Sequence, residues 1–255
     1  MTYCLGIMTQ EGLVLASDSR TNAGSDDVSV YPKTHKFVQP GERAFVLLCS
    51  GSLSLSQSVV TMLRRDFEQG TGLASASTMY DAAREVGEQV RAVSELDRPA
   101  LVRDGYRYNI HFILGGQIRG ERHGLYLVYP QGNPQAAAEE SPYLQIGEFK
   151  YGRPILDRGI RYACTSLDEA AKYALISLDS TMRSNVTVGP PIDLTLYAAN
   201  EFQIKRCRRF AADDPDLRTI RVHWEQALRR AIQELPAVQF ECAQPAGPEK
   251  PATSA

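Results

Sequence analysis

Apolar residues recur along this chain with two different periods, and each change of period marks a new element. Residues 2–8 and 13–17 are apolar-rich runs on either side of Gln10-Glu11-Gly12, and they predict an antiparallel hairpin. A second hairpin is predicted from 33–38 and 44–50, joined by Gln39-Pro40-Gly41-Glu42, where Pro presets the turn and Gly tolerates its bend. The run Ala44-Phe45-Val46-Leu47-Leu48-Cys49 is apolar throughout, as a strand covered on both faces must be. After Gly51 the period lengthens to that of a helix, through Leu53, Val59, Val60, Met62, Leu63 and Phe67, with Ser54-Leu55-Ser56-Gln57 as the expected capping box. A second helix is predicted over 77–94, with Met79, Ala82, Ala83, Val86 and Val90 inward and Arg84, Glu85, Glu88 and Gln89 outward.

Alternation returns at 106–114 and 124–129, separated by Gly115-Gly116 and Arg119-Gly120, which predicts another antiparallel pair. Residues 131–142 read as a loop, 143–146 as a short strand and 152–162 as a helix. Ser166-Leu167-Asp168-Glu169 is a capping box that opens a helix through Ala170, Tyr173, Ala174, Ile176 and Leu178. Pro190-Pro191 stops the helical pattern, 192–197 and 201–204 read as closing strands, and Asp213-Asp214-Pro215 starts a last helix, 217–235, with Trp224 and its leucines facing in. The Pro-, Ala-, Gly- and Ser-rich residues 244–255 are expected to be disordered. Strands, two helices, strands, two helices, strands and a helix predict an α+β fold, a four-layer αββα sandwich of two antiparallel sheets between helical layers. One domain is expected over 1–243.

Composition narrows the function classes. With 255 residues, 43% of them hydrophobic, the chain has enough apolar surface for one large core. A net charge of −2 offers no general attraction to nucleic acid or to an anionic membrane, and neither is expected as a partner. No run of 18 apolar residues and no basic start with an apolar stretch behind it is found, so neither a membrane span nor a secretory signal is expected, and a cytoplasmic location is. The five cysteines are odd in number, scattered and without metal-type spacing, which fits reduced thiols.

The candidate chemistry gathers at the start of the chain. Thr2 becomes the first residue if Met1 is removed, and its own amine, with an ordinary pKa of about 7.7–8.0, is then a base within reach of its hydroxyl. Asp18 falls at the end of the second strand, and Lys33 and Lys36 flank the start of the third. An ammonium beside the hydroxyl would favour its ionised form, and an acid would hold that ammonium. The amide of Gly51, where a buried strand meets a helix, suits an oxyanion. His35, His111, His123 and His223 are dispersed and read as structural, and the arginines near Lys205 and along the last helix as a solvated face.

These stretches resemble the proteasome-type N-terminal-nucleophile hydrolases, the 20S proteasome β subunits and the HslV peptidase among them. The likeness is carried by Thr2, by GLVLASDSRTNAG from Gly12 to Gly24, by Lys33 and by CSGSL from Cys49 to Leu53. MTYCLG, SDSRTNAG, IGEFKYGRPILDRG and STMRSNVTVGPPIDL make it most similar to the bacterial Anbu group. The resemblance implies a threonine-type peptidase or amidohydrolase acting on a peptide or protein substrate, with Thr2 as nucleophile, Asp18 and a lysine in support, and Asn22 and Gly51 pairing their backbone with substrate. It implies no metal or organic cofactor, self-association into a ring or helical homo-oligomer, and an ATPase partner that no feature of this chain identifies. The family's lysine stands between the positions of Lys33 and Lys36, and Lys33 is preferred for its smaller displacement. Where the family has a serine near the amine this chain has Glu148, and Asp179 and Ser184 stand five apart where the family has an acid and a serine three apart. Cys49, Leu53 and Asn22 would shape a pocket for a small to medium apolar side chain. A silent assembly or binding subunit that keeps Met1, and an amidase for a small non-peptide amide, are the alternative readings.

Overall fold

A computed structural model of the chain describes residues 2–22, 28–106 and 108–240. The first hairpin forms as predicted: β1 (Tyr3–Thr9) pairs with β2 (Gly12–Asp18), and every residue of both strands is buried. A short ribbon of β3 (Arg20–Asn22) and β4 (Val28–Val30) follows. The second hairpin is β5 (Thr34–Gln39) and β6 (Arg43–Gly51), then α1 (Leu53–Glu68), a short 3-10 turn at Gly72–Ala74, and α2 (Met79–Arg103). The middle of the chain supplies β7 (Ile110–Ile118), β8 (Gly124–Val128), β9 (Pro134–Ala136), β10 (Tyr143–Gly147), α3 (Arg153–Gly159) and α4 (Leu167–Ser184). It closes with β11 (Ile192–Ala198), β12 (Arg206–Phe210) and α5 (Pro215–Gln233).

Two five-stranded antiparallel sheets result, in the orders β10-β1-β2-β11-β12 and β5-β6-β7-β8-β9. Because successive side chains on a strand point to opposite faces, the central strands β1, β2, β6 and β7 each contribute to two cores. Cys4, Leu13 and Leu15 of one sheet meet Val46, Leu48, Ile113 and Leu125 of the other between the sheets. On the outer faces α1 and α2 cover Phe45, Leu47 and Phe112, while α3 and α4 cover Leu5, Ile7 and Val14. This is the αββα sandwich that the element order predicts.

Several details differ from the expectation. Ser54 lies inside the first turn of α1, whose N-cap is Ser52 and makes no side-chain cap, so the capping box there does not form. The box of α2 is Thr78 with Asp81, and the helix runs on to Arg103, past Val93, its last buried residue, where the amphipathic signal ends. Gly115 and Gly116 lie within β7 rather than between strands. A β-carbon on Gly116 would stand 2.3 Å from the Ala44 carbonyl oxygen, so these glycines permit close approach, not a turn. A three-residue strand, β9, stands where a loop was expected. The last strand is Arg206–Phe210 instead of 201–204, because Asn200 and Phe202 adopt positive φ and turn the chain there. Leu217 alone is buried in α5, Trp224 is half-buried, and Leu228 and Ile232 are exposed. Residues 244–255 and Cys242 lie outside the described residues, as does Met1.

Candidate active site

The open end of the sandwich, where β1 and β7 begin and β2 and β6 end, collects the predicted residues. Thr2 precedes β1, and its carbonyl accepts a hydrogen bond of 2.8 Å from the Glu148 N–H. Gly147, at φ +85°, makes that approach possible, since a β-carbon there would lie 1.8 Å from the same oxygen. The next turn of this segment is held too: a β-carbon on Gly152 would lie 2.2 Å from Ser177 Oγ and 2.6 Å from the Tyr3 hydroxyl. Tyr3 Oη and Ser177 Oγ are 2.6 Å apart, and Gln145 donates to the same phenol. Burial pushes the Tyr3 phenol up to about 12, so it is a neutral member of this network.

Asp18 ends β2 fully buried. Its Oδ1 accepts from the Tyr3 N–H at 3.0 Å and from Lys33 Nζ at 2.7 Å, and its Oδ2 from the Gly189 N–H at 3.2 Å. Burial drives this carboxyl above its ordinary value, against the pull of Lys33 and of the two amides. All three partners donate, and a carboxylate, which only accepts, satisfies all three. Arg20 locks the third donor in place: its guanidinium fills the space beside Gly189 and donates to the Val186 carbonyl at 2.6 Å.

Lys33 is the lysine brought to this point. It lies just before β5, continues the ladder by accepting from the Cys49 N–H at 3.0 Å, and is buried. Besides Asp18 its ammonium donates to the Arg20 carbonyl at 2.6 Å, which leaves one of its three donors without a partner among the described residues. Lys36 is exposed and borders a separate hollow with Asp193 and Arg209.

Thr2, Lys33, Gly51 and Glu148 all line one cavity of about 700 Å³. Gly51 closes β6 at φ +105°, and a β-carbon there would lie 2.1 Å from the Asn109 carbonyl oxygen. Cys49 and Leu53 line the same cavity. Cys49 Sγ is 3.9 Å from His35 Nε2, yet burial pushes the thiol up to about 12 and the imidazole down to about 4. The two are therefore uncharged at neutral pH, and Cys49 is a neutral wall rather than a thiolate. Asn22 contributes the end of β3, and its side chain lies outside the described residues.

Asp179 and Ser184 are not brought to this cavity. Asp179 is buried on α4 and accepts from Arg221 of α5 at 2.5 Å, while Ser184 borders a different hollow with Arg20 and Arg183. Three of the basic residues near the C-terminus pair with acids, Arg206 with Asp168, Arg208 with Asp214 and Asp216, and Arg209 with Asp193. His111, read as a structural histidine, stands on the cavity wall. Its signal is in the alternation: it shares a strand face with Ile113, which points between the sheets, so it is a polar residue on an inward face. Tyr3 carries no local signal, because its hydroxyl meets Ser177 and Gln145 across 174 and 142 residues of chain.

Comparison with known proteins agrees with this fold. No family model matches the chain. A structure of Anbu (Gly-1) mutant from Hyphomicrobium sp. strain MC1 is 44% identical, covers 94% of this chain and all of its own, and superposes with a TM-score of 0.88. The chain belongs to the Anbu family. Anbu (ancestral beta-subunit) from Yersinia bercovieri is 42% identical over 94% of this chain and 100% of its own, with a TM-score of 0.87. The helical assembly of the Anbu complex from Pseudomonas aeruginosa is 39% identical over 93% of this chain and 98% of its own, with a TM-score of 0.88. A proteasome subunit beta from Haloferax volcanii is 32% identical over 135 residues, 52% of this chain and 48% of that protein, so the match spans about half of that relative. The proteasome-like fold expected from the Anbu blocks is thus the fold found.

Proposed function

We propose that the chain is a threonine-type hydrolase subunit, an endopeptidase in class, whose nucleophile is Thr2 once Met1 has been removed. The observation that carries this reading is that Thr2, Gly51 and Lys33, the last held by the buried Asp18, line one cavity. In the proposed reaction the Thr2 Oγ–H proton passes to the Thr2 amine as Oγ bonds to the scissile carbonyl carbon. The carbonyl oxygen becomes an oxyanion and accepts from the Gly51 N–H. The C–N bond then breaks, the leaving amine takes the proton from the Thr2 ammonium, and an ester remains on Oγ. Water attacks that ester with the Thr2 amine as base, which releases the acid and restores threonine. Lys33, held by Asp18 and the Arg20 carbonyl, has one donor left to lower the cost of charge on Oγ.

Glu148 lines the same cavity, and a carboxylate facing the amine would favour its protonated form, which cannot act as base. This is the specific ground for the second reading, a subunit of little or no turnover at neutral pH. In keeping with the helical assembly of the Pseudomonas relative, the chain is proposed to self-associate.

Intact-mass measurement with a threonine-directed epoxyketone tests the first reading. The expected result is a mass lacking Met1 that gains one inhibitor, with no gain in Thr2→Ala and no turnover of fluorogenic peptides by that variant. A full-length mass without adduct overturns it.

A further inference from the structure

The cavity is lined by residues from both faces of β6, and only one of those faces belongs to the apolar pocket described so far. Strand alternation separates them. Cys49 points to the α1 side of its sheet, among Leu55, Val59 and Phe112. The next residue, Ser50, therefore points the other way, between the sheets, as Leu48 does two positions earlier. In the β6–β7 ladder Ser50 pairs directly with His111, so their side chains stand side by side on that inner face, with β-carbons about 5 Å apart. Both residues line the cavity. Leu127, Leu144, Ile146 and Gln135 also line the cavity, as does Tyr129, which donates to Gln135 and whose ring meets His111 edge to face at 6.3 Å.

Neither the Ser50 hydroxyl nor the His111 ring has a hydrogen-bond partner among the described residues, although Ser50 is 6% exposed. Other polar groups on these inner faces are already paired, Ser17 with Thr34, Gln117 with Tyr197 and Asn200, and Gln135 with Tyr129, whereas the adjacent Ser50 hydroxyl and His111 imidazole form a polar pair with nothing to bind among the described residues. Burial holds the imidazole below its ordinary pKa, so at neutral pH it presents one donor and one acceptor. The hydroxyl also presents one donor and an acceptor. Of the lysine and arginine side chains that line the cavity, Lys33 is matched by Asp18 and Arg153 stands 3.6 Å from Asp157.

We propose that the inter-sheet side of this cavity, centred on Ser50 and His111, is a second substrate subsite that takes an uncharged side chain bearing a carboxamide, such as glutamine or asparagine. A carboxamide has an acceptor oxygen and two N–H donors, and so complements both residues at once. An alkyl side chain would leave both polar groups unpaired, and a carboxylate would find no free cation there. The inference rests on reading the cavity as a peptide site, and it adds a polar preference beside the apolar one at Cys49.

Binding can be measured without turnover in the full-length Thr2→Ala protein, by fluorescence anisotropy of labelled hexapeptides in which Gln, Glu and Leu are exchanged one position at a time. At one position Gln is expected to bind about tenfold more tightly than Glu or Leu, a difference of the size two neutral hydrogen bonds supply. That preference is expected to vanish in His111→Phe and to fall about fivefold in Ser50→Ala. Should His111→Phe not fold, Ser50→Ala decides alone. No position preferring Gln, or a preference left unchanged in Ser50→Ala, overturns the assignment. Wild-type turnover separates this from the reading above: hydrolysis without a Gln preference sinks only the subsite, and a Gln preference without hydrolysis sinks only the enzyme.

Discussion

Every residue of β1 and of β2 is buried, seven in each strand, whereas of the 19 residues of α5 only Leu217 is. Both segments carry regular apolar residues, and both are predicted from that regularity. The strands lie in the middle of a four-layer sandwich, so each of their faces is covered by another element of the same chain. Helix α5 joins α4 through Leu217 and through ion pairs of Arg221 with Asp179 and Arg183 with Glu225, and then runs clear of the body. Leu228, Ile232 and Leu235 remain 48%, 61% and 62% exposed. An apolar period thus tells which face of an element favours cover, while the cover itself depends on where neighbouring layers end.

The largest expected effect lies at the buried end of β2. Lys33→Met removes the one ammonium on Asp18 and leaves a buried, uncompensated carboxylate, which is expected to cost about 3–5 kcal/mol in denaturant unfolding. A smaller loss would mean that the amides of Tyr3 and Gly189 hold Asp18 without help. Next, Leu5→Ala in β1 is expected to cost about 2–5 kcal/mol by the same measurement, because Leu5 is fully enclosed.

Acid provides a third test. His35 has a folded pKa of about 4 against an ordinary 6.5, so as pH falls below 6.5 the unfolded chain gains a proton that the folded chain refuses. Stability is expected to drop between pH 6.5 and 4 by at most about 3 kcal/mol, and His35→Asn should flatten that window. The smallest effect is expected on α5, where Leu228→Ser should change stability by no more than about 0.5 kcal/mol. A larger loss would show that something beyond this chain covers the helix.

Much of this architecture is legible in the order of residues. The two opening hairpins, the helical period after Gly51 and the capping box at Ser166 are local signals, and each is found where it was read. The misplaced features share one cause. Gly115-Gly116 looks like a turn until the neighbouring strand is seen pressing on it, and Trp224 looks like a core residue until α5 is seen to pass the edge of its layer.

By itself the chain order determined the period of each element, the four-layer stacking and Thr2, Asp18 and Gly51 as candidates, because those depend on backbone geometry and on residues within one or two turns. Only the tertiary structure decided between Lys33 and Lys36 as the partner of Asp18, set Asp179 on Arg221 instead of at the cavity, and joined Tyr3 to Ser177. It also turned Ser50 and His111 into neighbours. Those outcomes depend on which strands lie side by side and on how far each side chain reaches across the gap. No local pattern encodes either, since the apolar burial that brings distant segments together does not depend on direction.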